Sequence, residues 1–275
     1  MTVGCETQLD RGDSNWNGTV FLWQEQALFL GKAADTSLHT SPAIKICVAI
    51  DGEIRLRTSE DSEWESFQAA IIAPGQVHAI DCRQSEIAML ILVPEAELAQ
   101  PLSAIYNRDG LYRVRPSAVR KLLPVLDEYS RASAFDAETE NLCLSLVESI
   151  QSEGHRQFSK NDSVSLDPRV VTSIEQLRAE ANCGSVGQIA ANVALSESRF
   201  SHLFSEQLGV PVRRYLLWLR LRDAMHRLAT GATLTETAYE SGFADSAHLT
   251  RTFRGMLGIA PSSLLRSSSL IPAKQ

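Results

Sequence analysis

The sequence predicts an α+β protein. A small β-barrel or sandwich with a helical pair comes first, and an all-α part with two helix-turn-helix units follows. Three observations predict this. Short runs rich in β-branched and aromatic residues, divided by turn signals, fill residues 19–94. Helical spacing takes over after Pro94. The stretch Ser185–Gly209 is echoed at Thr233–Gly258.

The strand runs are VFLWQ, QALFLG, IKICVAI, EIRLRT, FQAAIIA, VHAIDC and EIAMLILV. GKAAD, IDGE, TSEDSE and APGQ separate them, with the Gly, Pro and Asp that turns require. Seven short strands at this spacing fit a β-sandwich or barrel. Beyond Pro94, Val119, Leu122, Leu123 and Leu126, and then Leu142, Leu146, Val147 and Ile150, recur at helical intervals. Pro124 is expected to interrupt the first helix, because it lacks an N–H and clashes with the preceding turn. The apolar faces of this pair serve the core or a second protomer. His155–Pro168 carries few large apolar residues and reads as a linker between domains at 1–160 and 169–275.

From Arg169 onward the pattern is helical throughout. SVGQIAANV matches TLTETAYES at an offset of 48, and SESRFSHLFSEQLG matches DSAHLTRTFRGMLG at an offset of 49. Each copy opens with a capping box, Ser185 with Gln188 and Thr233 with Glu236. Each then carries a small residue, Ala190 or Ala238, where a second helix crosses close by. Each second helix has a cap (Ser196, Asp245), a core aromatic (Phe204, Phe253) and a terminal glycine (Gly209, Gly258). PVRRYLLWLRLRDAMHRLATG between them is one long helix, with Pro211 at its start and Gly231 at its end.

Two units on one rod have a fixed separation, and successive major-groove faces lie about 34 Å apart. The outward positions of both second helices avoid long anionic side chains. They are Ser198, Arg199, Ser201 and His202 in the first, and Ala247, His248, Thr250 and Arg251 in the second. Arginine reads a guanine edge with two hydrogen bonds, and small side chains let a helix sit deep. Arg213, Arg214 and Arg254 are candidate phosphate contacts. Charge agrees with this division: residues 166–275 hold 12 Lys/Arg against 9 Asp/Glu, and residues 1–165 hold 14 against 24.

Residues 170–266 resemble the DNA-binding domain of the AraC/XylS family of transcription regulators. IAANVALSESRFSHLFSEQLGVPVRRYLLWLRLRDAMHRL and TAYESGFADSAHLTRTFRGMLGIAPSSL carry the resemblance. It implies two recognition helices in successive major grooves. By position it implies base contacts from Ser198, Ser201 and His202, and from Ser246, Ala247, Thr250 and Arg251. The family usually has glycine where this chain has Ala194, and often arginine where it has His202. The N-terminal half, with IDGEIRLR and IIAPGQVHAI, resembles the cupin-like barrels that family members use for sensing and dimerisation. That implies a small-molecule effector, with His39, Lys45, Cys47 and His78 as candidate ligand-binding residues.

Other chemistry finds little footing. There is no GxGxxG after a strand, no Walker loop, no GxSxG and no HExxH. His39 lacks the second histidine of a His-x-His pair, so no metal and no cofactor are expected. Five scattered cysteines with no CxxC read as reduced thiols. No apolar run is long enough to span a bilayer and no signal peptide is visible, so a cytoplasmic protein is expected. The expected partners are double-stranded DNA, an effector and a second copy of the chain, without a membrane. The alternative is a cupin-type binding protein or enzyme with an accessory helical module.

Overall fold

The computed structural model describes residues 16–83, 85–106, 110–130, 137–153, 166–179 and 185–273. Most of the expected linker, and Cys5 and Cys183, lie outside these residues.

The β-rich part holds β1 (Asn17–Leu22), β2 (Gln26–Lys32), β3 (Ile44–Ala49), β4 (Ile54–Arg57), β5 (Glu65–Phe67), β6 (Ala69–Ile72), β7 (Ala79–Asp81) and β8 (Glu86–Leu92). FQAAIIA is therefore not one strand. Phe67 ends β5 and pairs with Ile54, whereas Ala69–Ile72 joins a different sheet. Gln68 lies between the two strands and accepts a hydrogen bond from Ala49 N–H. The larger sheet runs β10-β1-β2-β8-β3-β6-β9 and the smaller β5-β4-β7. All of β3 is buried, as in a strand covered on both faces.

Pro94 is followed by α1 (Gln100–Tyr106), the short β9 (Leu111–Arg113), α2 (Pro116–Arg120), α3 (Leu123–Ser130) and α4 (Ala137–Glu153). The helix expected over 116–132 breaks at Lys121–Leu122, ahead of Pro124, as the missing N–H requires. Leu126, Leu142, Leu146, Val147 and Ile150 all turn into the core beside the barrel, leaving Val125 and Leu144 exposed. This helical pair spends its apolar stripe on its own molecule.

The helical part comprises α5 (Pro168–Ala179), α6 (Val186–Asn192), α7 (Glu197–Leu208), α8 (Val212–Ala229), α9 (Leu234–Glu240), α10 (Ser246–Leu257) and α11 (Pro261–Leu265). The chain does not stay helical to its end. Ser268–Pro272 forms β10, which pairs in parallel with β1 from Gly18↔Ser268 to Leu22↔Pro272. Ser268–Pro272 has no charge and two aliphatic residues, so it suits a sheet edge only if a neighbouring strand is offered.

Two cores result. Val170, Ile189, Phe200, Phe204 and Tyr215 belong to a cluster confined to the first unit. Phe243, Leu249, Phe253 and Leu264 of the second unit join the barrel's own cluster. Truncating Phe204 or Phe253, both fully buried, would cost about 3–5 kcal/mol. The first unit meets the barrel through polar contacts instead. Arg178 donates to Glu25 at 2.7 Å and to Glu95 at 3.0 Å, and the Tyr215 hydroxyl also donates to Glu95.

Candidate nucleic-acid interface and effector cavity

Each recognition helix is started and stopped by its own residues. The Ser196 side chain accepts from Arg199 N–H at the start of α7, and Asp245 accepts from His248 N–H at 2.6 Å at the start of α10. Both helices end on a left-handed glycine, Gly209 at φ 73° and Gly258 at φ 77°. The leading helices match less closely. Thr233 and Glu236 complete a capping box, but Ser185 makes only its half, because the Gln188 side chain turns to Asn192. The turn between helices needs a left-handed residue in both units. Gly242 supplies it in the second at φ 74° and Ala194 in the first at φ 56°.

The apolar side of each recognition helix is core: Phe200, Phe204 and Leu208 in α7, Leu249, Phe253 and Met256 in α10. The opposite side faces solvent. Ser198, Arg199 and His202 are exposed on α7, with Ser201 half-buried; Ala247 and Arg251 are exposed on α10, with Ser246 and Thr250 half-buried. Thr250 donates its hydroxyl proton to Ser246 O at 2.8 Å, leaving its oxygen lone pairs to accept. His248 packs edge-on against Phe243, which takes it off the outward face. Of the anionic residues of α7, Glu197 pairs with Arg213 at 3.1 Å, whereas Glu206 is exposed, 3.8 Å from the exposed His202 ring. Arg254 is exposed at the end of α10. Arg214 is not available for phosphate. It reaches Thr40 O and Gly255 O, at the seam with the barrel.

A second site lies behind that seam. An apolar cavity opens between the barrel and the second unit, with walls from Trp16, Leu22, Met89, Trp218, Leu257 and Leu264. Its polar boundary includes His39 and Lys45. Lys45 is 1% exposed and, among the described residues, has no carboxylate partner. Its amine contacts His39 Nε2 at 2.7 Å and His78 Nε2 at 3.2 Å. Each imidazole points Nδ1 at a backbone oxygen, Ser37 O at 2.8 Å and Gln76 O at 2.9 Å. Nδ1–H is thus the donor in both rings, and Nε2 accepts from Lys45. Burial pulls the Lys45 amine down to about 7. Burial and the neighbouring Lys45 hold both imidazoles well below their ordinary range. Cys47 lies two residues along β3, fully buried, with its thiol pushed up to about 12; it is not among the residues lining the cavity. His78 touches the cavity only through Lys45.

Sequence reasoning picked out Lys45, His39 and His78 but not their joint arrangement, and it missed the C-terminal wall. Leu257 and Leu264 read as ordinary helix-core residues. Among the described residues, no group of three or more His, Cys, Asp or Glu gathers as a metal cage.

Residues 189–267 match the family model described as a helix-turn-helix domain. The uncharacterized HTH-type transcriptional regulator YidL of Escherichia coli is 25% identical over 231 residues, covering 80% of this chain and 74% of that protein. The arabinose operon regulatory protein of the same organism is 28% identical over 128 residues, 45% of this chain and 44% of its own. Apo ToxT from Vibrio cholerae shares the fold over 90% of this chain and 98% of its own, with a TM-score of 0.63 at 13% identity. ToxT bound to an unsaturated fatty acid does so over 92% and 97%, with a TM-score of 0.57 at 15% identity.

Proposed function

We propose that the chain is a helix-turn-helix transcription regulator of the AraC family, and on that reading the residues that read DNA and the occupant of the cavity follow. Ser198, Arg199, Ser201 and His202 on α7, and Ser246, Ala247, Thr250 and Arg251 on α10, face the base edges; Arg213 and Arg254 contact phosphates. One observation carries this reading. Two helices, each with a side-chain N-cap and a left-handed terminal glycine, expose faces on which Glu197 is paired with Arg213 in α7 and no Asp or Glu occurs in α10. Functionally the chain divides into a sensing part, residues 1–160, and a DNA-binding part, residues 169–275. It acts in the cytoplasm, as two protomers joined through the barrel half, where Val125 and Leu144 remain exposed.

The cavity takes a small effector with an apolar body and an anionic end. Its walls are mainly apolar, with Glu25, Gln26, Thr36, His39 and Arg222 also on the lining, and among the described residues the buried Lys45 amine has no carboxylate partner. The fatty acid in ToxT, which shares the fold, supports the same reading.

Fragments recovered by genomic selection supply the operator. Affinity for it is expected to fall steeply between 50 and 200 mM salt through counterion release, by about 10³ for six phosphate contacts. Binding that is flat with salt would remove the DNA assignment. For the effector, decanoate is expected to quench Trp16, Trp23 and Trp218 at concentrations where 1-decanol does not. Equal response to both would remove the anionic end. Sedimentation that shows only a monomer on operator DNA would end the two-protomer reading.

A further inference from the structure

The cavity and the second recognition helix are joined by a short chain of hydrogen bonds. Ser37 donates both its N–H, at 2.9 Å, and its hydroxyl, at 3.0 Å, to Gly258 O at the end of α10. Thr40 N–H donates to Gly255 O at 3.2 Å, and Arg214 bridges Thr40 O and Gly255 O. This clamp hangs on His39. Its Nδ1–H holds Ser37 O, its backbone pairs both ways with His78, and its ring lies against Gly258. A methyl group at Gly258 would stand 2.6 Å from Thr36 Cβ and closer still to the His39 ring. The far side of that ring accepts from Lys45, which lines the cavity.

We propose that His39 is a positioning residue that transmits occupancy of the cavity to α10. An anion beside Lys45 draws the amine off His39 Nε2. The freed imidazole re-seats, and because it has no slack against Gly258, the Ser37 and Thr40 clamp on the end of α10 loosens. Among the described residues, the first unit reaches this clamp only through Arg214 in the first turn of α8. Its core is separate, and its barrel contacts run through Arg178, Glu95 and Tyr215. An effector therefore acts on the second recognition helix and leaves the first in place. This rests on reading the cavity as the effector site.

Hydrogen exchange of the full-length protein tests it, followed at residues 254–266. Decanoate is expected to raise exchange there at least threefold in the wild type and to leave residues 197–208 unchanged. His39→Asn keeps a donor near the Nδ1 position but loses the Nε2 acceptor. At decanoate concentrations that saturate its own tryptophan response, it should show no rise in exchange. Without ligand, Lys45→Met and His39→Ala should each raise exchange at 254–266 on their own, and the double variant should add nothing further. If decanoate does not bind the wild type, the effector reading fails, and the ligand-free variants alone decide the relay. The relay is overturned if Lys45→Met and His39→Ala both exchange like wild type, or if exchange in His39→Asn still rises with decanoate.

Discussion

Gly258 and Gly231 both hold left-handed backbone, at φ 77° and 91°, yet they do different work. Nothing lies within 4 Å of a methyl group placed on Gly231, whereas one on Gly258 meets Thr36 and His39. Gly231→Ala is expected to cost about 1 kcal/mol, the strain of the backbone alone. Gly258→Ala should cost at least twice that in chemical denaturation, because the barrel seam must also part; equal costs would mean that the seam yields freely. Lys45 makes a second prediction. The unfolded amine keeps its proton up to about 10.5, while the folded one loses it near 7. Between those values the unfolded chain binds more protons, so stability rises with pH across the window, and below 7 the full cost of the buried cation is present. Lys45→Met should therefore stabilise the protein at pH 6 by on the order of 3 kcal/mol, with the gain vanishing near pH 10. Charge-state groups beside it, His39, His78 and Cys47, stay neutral through that range. The presence of Lys45 in a β-run was legible in the sequence. Its isolation from carboxylates was not, because that depends on which loops and helices close over β3.

At the scale of elements, α7 and α10 were legible almost completely. Cap, apolar spacing, core aromatic and terminal glycine are local signals, and each acts within four residues. Arg251 is exposed on α10, and among the described residues no hydrogen bond or ion pair holds it. Arg251→Ala is expected to cost about 1–3 kcal/mol in operator affinity and to relax preference at one base pair. Unchanged affinity and preference in a binding-site selection would move the reading face elsewhere on α10. Arg214 shows the limit of such reasoning. Sequence places it beside Arg213 in the first turn of α8, as a twin candidate for phosphate. The structure turns Arg213 outward to Glu197 and Arg214 onto the barrel, because adjacent residues on a helix are rotated by about 100° from one another and so face different neighbours.

At the scale of the molecule, the second unit is built into the barrel. It shares a core with it, and β10 returns from the helical part to extend the larger sheet. Ser268 donates to Trp16 O, and Ala273 N–H donates to Leu22 O beyond the strand. Removing residues 267–275 is expected to destabilise the protein by about 2–4 kcal/mol through lost ladder bonds and apolar cover of Leu270 and Ile271. It should also raise exchange in β1. A melt and exchange pattern like wild type would make the strand dispensable. By itself the sequence determined the two repeated units, their caps, the strand-rich first half and the charge division, since these depend on neighbours a few residues away. Only the tertiary structure decided that β10 exists, that Lys45 meets two imidazoles and, among the described residues, no carboxylate, and that the end of α10 rests on His39. Each of those depends on contacts between residues some 200 positions apart in chain order or on what is missing from a closed space, and local spacing carries no trace of either.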